Sequence, residues 1–273
     1  MNRHTVDSFR IIVVLGACLL ATGCATTGGG GPMIPSDGAR PPMSARPAVG
    51  VPQQRAKIHT ELGALYLLEN RLAVAMEEAR LALQFDASYA PAYNLLALVH
   101  MQLGENKIAE EQFGSALRLA PGDPEVFNNY GWFLCQTGRE KQAMEYFSAA
   151  AKNPLYPTPS KPHTNAGLCA IQMKDYKLAE AELVVAMRLD GANTLALFWL
   201  SDAVYRQGRY PEARQWLAQL EQSLELPAEA TWLALRIERK LGNRDGEARF
   251  TARLKRVFPT APETLKMLQG DYE

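Results

Sequence analysis

Small residues recur along this chain of 273 residues at a spacing of 34. Alanines follow one another at intervals of 34, 34, 36 and 34, at Ala75, Ala109, Ala143, Ala179 and Ala213. Glycines follow at intervals of 34, 70 and 34, at Gly104, Gly138, Gly208 and Gly242. Both series contain the same two-residue insertion between the third and fourth repeats. A fixed period of this length indicates one supersecondary structure repeated along the chain, with each copy packed on its neighbours.

A helix–turn–helix unit with this period is that of the tetratricopeptide repeat. The chain is therefore expected to be all-α, a right-handed superhelix of about six repeats over residues 55–273. The repeats start near Ala56, Ala90, Pro124, Ser160, Thr194 and Ala228, and the sixth is degenerate. A capping helix over about residues 261–270 is expected to stop at Gly270, with Leu265 and Leu268 covering the last repeat.

The N-terminus has the order of a secretory signal, with basic residues before the apolar run Ile11–Leu20. That run is too short to span a bilayer. The residues at and after the end of the apolar run, Leu20 to Cys24, resemble the cleavage site of a bacterial lipoprotein signal. Residues 1–23 would then be removed, and Cys24 would carry diacylglycerol and an N-acyl chain. Ordinary cleavage beside an incidental cysteine is the alternative.

Residues 24–54 are rich in glycine and proline and poor in large apolar side chains, which predicts a disordered tether. Two or more acyl chains make membrane anchoring stable. Residue 25 is Ala and not the Asp that typically retains lipoproteins at the inner membrane. The expected location is the periplasmic face of the outer membrane.

The charged residues balance, with 29 basic and 29 acidic side chains and an isoelectric point near 6.9. This balance argues against nucleic-acid binding, which needs a basic face. No metal, nucleophile or paired-cysteine motif occurs in the sequence. The histidines of the repeats occupy positions that usually pack between helices. We expect a protein without catalytic activity and with no cofactor besides the lipid.

Two cysteines remain once Cys18 is removed with the signal and Cys24 is lipidated. Cys135 and Cys169 lie at similar heights on the first helices of repeats three and four, which should be neighbours. Because the periplasm is oxidising, we expect a disulfide between them. Two buried free thiols are the alternative.

In tetratricopeptide arrays the first helices line a concave groove that commonly binds a peptide or a partner helix. The repeat positions that face it are apolar and amide-rich here, with Asn side chains suited to hold a peptide backbone. Asn129 and Asn165 are also common in such repeats for structural reasons. The predicted groove residues are Ala64, Leu67, Leu68, Asn94, Leu95, Leu98, Met101, Asn128, Asn129, Trp132, Asn165, Leu168, Ile171, Phe198, Trp199 and Tyr205.

The insertion between repeats three and four spans residues 153–162 and contains four prolines, which predicts a stiff, non-helical bridge. It is interpreted either as a spacer or as a presented loop in which Leu155 and Tyr156 contact a partner.

The lipoprotein signal, the tether and six repeats resemble the PilF/PilW family of type IV pilus biogenesis lipoproteins, the pilotins of the pilus secretin. The stretches that carry the resemblance are residues 128–132, 153–156 and 165–169, NNYGW, NPLY and NAGLC. The resemblance implies binding to pilus secretin subunits and promotion of their outer-membrane localisation and multimerisation. A lipoprotein of another envelope machine, for β-barrel assembly or peptidoglycan synthesis, is the alternative.

Overall fold

The computed structural model of the chain describes residues 40–272, and within that range it contains helices and no strand. A short 3₁₀ turn, Met43–Ala45, precedes six consecutive helix pairs and one further helix. The helices are α1 Gly50–Leu68, α2 Leu72–Phe85, α3 Ala90–Gln102, α4 Asn106–Leu119, α5 Pro124–Gln136, α6 Glu140–Ala151, α7 Ser160–Gln172, α8 Tyr176–Leu189, α9 Thr194–Arg206, α10 Tyr210–Ser223, α11 Ala228–Lys240, α12 Arg244–Val257 and α13 Pro262–Gln269. The all-α tetratricopeptide fold predicted from the period is confirmed.

The first helices of repeats two to six begin where the spacing places the repeat starts. These helices are α3, α5, α7, α9 and α11, and their first residues coincide with the expected ones. The first repeat differs, because α1 begins at Gly50 and not near Ala56. The predicted start of the folded region at residue 55 is therefore wrong by at least five residues.

The chain divides into two compact units. The N-terminal unit is Met1–Asn129 with Asn153–Thr158, and the C-terminal unit is Tyr130–Lys152 with Pro159–Glu273. The largest fully buried side chains include Phe113 in the N-terminal unit. In the C-terminal unit they include Phe133, Phe147, Leu183 and Leu200. Each unit thus has its own apolar core.

Residues 40–46 form an N-terminal strap that packs on the N-terminal unit. The backbone N–H of Met43 donates to the Asp123 carboxylate at 2.6 Å, and the Asn153 amide donates to the Arg40 carbonyl at 2.9 Å. Sequence reasoning placed this segment in the tether because it lacks large apolar side chains. Polar partners on folded residues hold its backbone instead. Cys24 and the signal lie outside the described residues.

Close helix approach explains the recurring small residues. The five alanines of the repeating series are fully buried. A Cβ atom added at Gly167 would lie 2.5 Å from Leu183, and one at Gly131 would lie 2.9 Å from Phe147. Second-helix side chains therefore fill the space that a larger first-helix residue would need.

The turn between the helices of each pair contains a residue in the left-handed region. Glycine supplies it in four repeats, with φ between 69° and 80°. Asn70 and Lys174, with φ of 58° and 60°, occupy the equivalent position in repeats one and four. In repeat one the left-handed turn lets the Arg71 N–H bond to the Tyr66 carbonyl at 2.9 Å.

The helix α13 ends at Gly270, whose φ is 75°, as the sequence predicted. Its inward face carries Thr264 and Met267, which are 1% and 5% exposed. Leu265 and Leu268 are 51% and 62% exposed, so the expectation that they cover the last repeat is wrong. No helix of the described residues is both long and apolar enough to cross a membrane.

Candidate functional site

The predicted groove residues of the N-terminal unit separate into core and surface. Leu67 and Leu95 are each 3% exposed and pack with Leu96 and Val99. They belong to the core and offer no pocket to a partner. The predicted residues of this unit that keep part of their surface exposed are Ala64, Leu68, Leu98 and Met101.

The amide side chains of the N-terminal unit bond to one another. Asn129 donates to the side-chain oxygen of Asn94 at 3.3 Å and to Glu125 at 3.4 Å. Asn128 donates to the Asn129 oxygen at 3.1 Å. Asn94, Asn128 and Asn129 are 9%, 0% and 5% exposed. Because Asn128 has no accessible surface, the expectation that it contacts a partner is wrong.

The insertion loop adds to this network. The Tyr156 hydroxyl donates to the second oxygen of Glu125 at 2.7 Å, and the side chain is 3% exposed. Burial, reinforced by the charge of Glu125, raises the pKa of Tyr156 well above its ordinary value. The interpretation in which Tyr156 contacts a partner is wrong, because this side chain is buried and its hydroxyl is bonded to the half-buried Glu125 carboxylate. Leu155 is 41% exposed and remains accessible.

Two first helices are joined covalently in the C-terminal unit. Cys135 of α5 and Cys169 of α7 form a disulfide, with Cα atoms 5.9 Å apart. Both cysteines are buried, among Leu134, Phe147 and Ala166. The bond therefore holds α5 to α7 inside a packed core.

The remaining predicted groove residues lie on the first helices of the C-terminal unit. Leu168 and Phe198 are 6% and 7% exposed and contribute mainly to packing. The Trp199 ring meets Phe198 edge to face, with ring centres 5.0 Å apart. The residues that keep part of their surface exposed are Trp132, Asn165, Ile171, Trp199 and Tyr205.

A charged cluster lies beside Tyr205. The Asp202 carboxylate is held by Arg206 at 2.6 Å and lies 3.8 Å from the guanidinium of Arg236. The Arg236 side chain is 12% exposed and its guanidinium carbon stands 4.9 Å from the centre of the Tyr205 ring. Burial lowers the pKa of Arg236, and the charge of Asp202 opposes this shift. Because two guanidinium groups surround one carboxylate, the cluster carries a net positive charge.

Trp232 completes the aromatic surroundings of this cluster. Its ring centre lies 5.7 Å from the Arg236 guanidinium, and the ring stacks on Tyr272 at 5.3 Å. Sequence reasoning missed both Trp232 and Arg236, because repeat six is degenerate and its groove positions were not read. Trp232 and Arg236 are the fifth and ninth residues of α11 and are therefore equivalent to the predicted groove residues Asn94 and Leu98 of α3. We call Trp199, Tyr205 and Arg236 the aromatic–arginine surface. Trp232 is only 6% exposed and supports Arg236 from the core.

The histidines of the repeats are paired with glutamates. His59 lies 2.7 Å from Glu78, and His163 lies at the same distance from Glu182. Each pair joins the first helix of a repeat to the second. Among residues 40–272, no group of three or more His, Cys, Asp or Glu side chains is placed to hold a metal ion.

Comparison with known proteins agrees with this architecture. Residues 54–158 and 164–225 match tetratricopeptide repeat families. The type IV pilus assembly protein PilF of Pseudomonas aeruginosa is 30% identical over 242 residues, covering 89% of this chain and 91% of that protein. An uncharacterised protein of Haemophilus influenzae is 30% identical over 139 residues, covering 51% of this chain and 78% of the relative.

Two solved structures of pilus proteins superpose on the chain. Pseudomonas aeruginosa PilF aligns with a TM-score of 0.70 at 28% identity, covering 80% of this chain and 99% of that one. PilW, a widely conserved type IV pilus biogenesis factor, aligns with a TM-score of 0.73 at 29% identity and covers 79% and 99%. The resemblance drawn from the sequence motifs is confirmed.

Proposed function

Because the chain belongs to the family of the type IV pilus assembly protein PilF, we propose that it binds secretin subunits and promotes their localisation and multimerisation at the outer membrane. The observation that carries the proposal is the match to PilF across nine-tenths of both chains. The protein acts in type IV pilus biogenesis as a scaffold and catalyses no reaction.

In this proposal, the N-terminal segment determines where in the cell envelope the protein is located. The signal-like residues 1–23 direct export, and Cys24 carries the lipid that holds the protein on the periplasmic face of the outer membrane. Subunits captured by a membrane-bound scaffold meet at a higher effective concentration than free subunits do. Ring assembly is then favoured without any chemical step.

Recognition is assigned to the aromatic–arginine surface of the C-terminal unit. Trp, Tyr and Arg side chains are the types that dominate binding energy at protein interfaces. The positive excess beside Asp202 suits a carboxylate or a run of backbone carbonyls on the partner. The buried amides of the N-terminal unit already bond to one another, and that unit offers mainly Leu68, Leu98 and Met101.

A pull-down from membranes in mild detergent tests the proposal. The lipidated wild type is compared with a Trp199→Ala/Tyr205→Ala variant. The control is Leu119→Ala/Leu189→Ala, which alters side chains 43% and 48% exposed on second helices. Circular dichroism verifies that all three proteins fold.

We expect the wild type and the control to capture secretin, and the surface variant to lose at least about 2 kcal/mol of binding, a factor of about thirty. Equal capture by all three proteins would place the contact elsewhere on the chain. Capture of a β-barrel assembly or cell-wall complex without secretin would contradict the proposed function itself.

A further inference from the structure

The large apolar side chains that are most exposed lie at the two ends of the described chain. Six of them are more than half exposed within residues 40–272. Four lie at or on α1, namely Val49, Val51, Ile58 and Leu65, with exposures of 83%, 60%, 55% and 57%. The other two are Leu265 and Leu268 of α13. Exposed apolar residues in a contiguous group mark an interaction surface more often than single ones do.

The exposed residues of α1 form one stripe. Val51, Ile58 and Leu65 are seven residues apart, close to two turns of helix, and therefore point to the same side. The buried residues of α1, including Ala56, Gly63 and Leu67, face α2 and α3. The stripe is thus separate from the packing face of the helix.

Charge distinguishes this stripe from the one on α13. Residues 40–60 contain four basic side chains, Arg40, Arg46, Arg55 and Lys57, and no acidic one. The first acidic residue after Arg40 is Glu61, whose carboxylate lies 3.9 Å from Lys57. Residues 262–271 contain two acids and one lysine. A basic, apolar helix surface fits an anionic lipid interface, and the α13 surface does not.

The described chain starts, in sequence, shortly after the expected anchor at Cys24. Sixteen peptide steps separate Cys24 from Arg40, so even a fully extended chain holds Arg40 within about 55 Å of the lipidated residue. The α1 helix begins ten residues later and is the first α-helix of the described residues.

We propose that α1 lies on the phospholipid surface, with the stripe of Val49, Val51, Ile58 and Leu65 in the interfacial region and Arg40, Arg46 and Arg55 beside the lipid phosphates. The helix runs along the membrane plane and does not cross it. The contact orients the N-terminal unit against the membrane. The inference uses the lipid anchor of the proposed function only for reach, and it requires no secretin.

Vesicle binding without the lipid anchor tests the contact. The mature chain, residues 24–273, carries Cys24→Ser so that no acyl chain contributes. It is sedimented with phosphatidylglycerol-rich vesicles and with phosphatidylcholine vesicles. The stripe variant is Val51→Ser/Ile58→Ser/Leu65→Ser, and the matched control is Leu265→Ser/Leu268→Ser. All substitutions are at exposed positions, so the fold is retained.

We expect binding to the anionic vesicles, weakened by salt. The stripe variant should bind at least about tenfold more weakly, and the control should bind like the parent. Arg40→Gln/Arg55→Gln should reduce affinity about 30-fold, at about 1 kcal/mol for each basic residue near the surface. These results together would support the proposal whether or not the protein binds a secretin.

Other outcomes would overturn it. Absence of binding to the anionic vesicles, or equal binding by the stripe variant and the control, would show that α1 does not contact lipid. Sedimentation velocity without vesicles gives a further test. Self-association that the stripe variant abolishes would show that the stripe binds a second copy of the chain and not a membrane.

Discussion

Removing the disulfide should cost the C-terminal unit much of its stability. The bond joins Cys135 and Cys169 across a sequence separation of 34 residues, and the loop that it closes contains α6 and the insertion. In the chain-entropy account, a cross-link stabilises chiefly by restricting the unfolded chain. The double variant Cys135→Ala/Cys169→Ala releases that restriction and leaves only small changes in buried volume.

The magnitude follows from the loop length. Closing a loop of 34 residues removes about 12–13 cal/mol/K from the unfolded chain, which is about 4 kcal/mol at room temperature. A change of this size lowers the melting temperature of a chain of this length by about 8–15 °C. In a repeat array each repeat contacts its neighbours, so the loss should be concentrated in α5, α6 and α7.

Urea unfolding followed by tryptophan fluorescence measures the effect, with hydrogen exchange to locate it. Wild type is studied with and without a reductant, and the double variant serves as the control that a reductant should leave unchanged. Reduced wild type should unfold like the variant. The unfolding free energies of oxidised wild type and the variant should differ clearly, and a difference below about 1 kcal/mol would refute the entropic argument. Loss of hydrogen-exchange protection confined to α9–α13 would refute it as well.

Three further predictions concern single residues, each measured by urea unfolding. Gly167→Ala should lower the unfolding free energy by about 1–3 kcal/mol, because its Cβ would lie 2.5 Å from Leu183. The control, Gly114→Ala, should be neutral or stabilising, because its Cβ would contact only a flexible arginine at 3.4 Å. Equal effects of the two substitutions would contradict the packing argument. Lys174→Gly should raise the unfolding free energy by about 0.5–1 kcal/mol, since lysine is strained at its φ of 60°; a loss of stability would show that the lysine side chain outweighs the strain. Burial raises the pKa of Asp123, so this carboxyl stabilises the fold when protonated, and that contribution is lost as the pH rises through its folded-state pKa. The stability of Asp123→Asn relative to wild type should therefore increase as the pH rises above the ordinary carboxyl pKa of 3.8, and a difference independent of pH would refute the assignment.

The repeat period was enough to locate the helix pairs, because small residues and turn glycines are required by geometry in every repeat. Gly104 and its equivalents adopt a left-handed φ that glycine allows without strain. The same position is filled by Asn70 and Lys174, which no glycine pattern reveals. The need for a left-handed residue at this turn can therefore be recognised from the sequence only in the repeats where glycine occupies the position.

The candidate site was less predictable, because position within a repeat does not determine burial. Leu67 and Leu98 were both assigned to the groove, yet Leu67 is 3% exposed and packs with Leu95 and Val99, whereas Leu98 keeps part of its surface. Helix packing decides between these outcomes. The strap that reaches Asp123 depends on tertiary contacts in the same way, through one carboxylate 80 residues away.

Most of the residues that identified the family stabilise the fold. They are therefore poor candidates for the residues that would recognise a partner. Asn128 and Asn129 bond within a buried network, and the two cysteines are joined inside a core. Tyr156 is itself buried and donates to the Glu125 carboxylate. Substituting these residues would reduce binding by unfolding the site, so such losses would not locate the contact. Under the proposed function, contact with a partner needs accessible side chains, and Trp199 and Tyr205 of the aromatic–arginine surface keep part of their surface exposed. Variants there separate recognition from folding, whereas variants of these buried markers cannot.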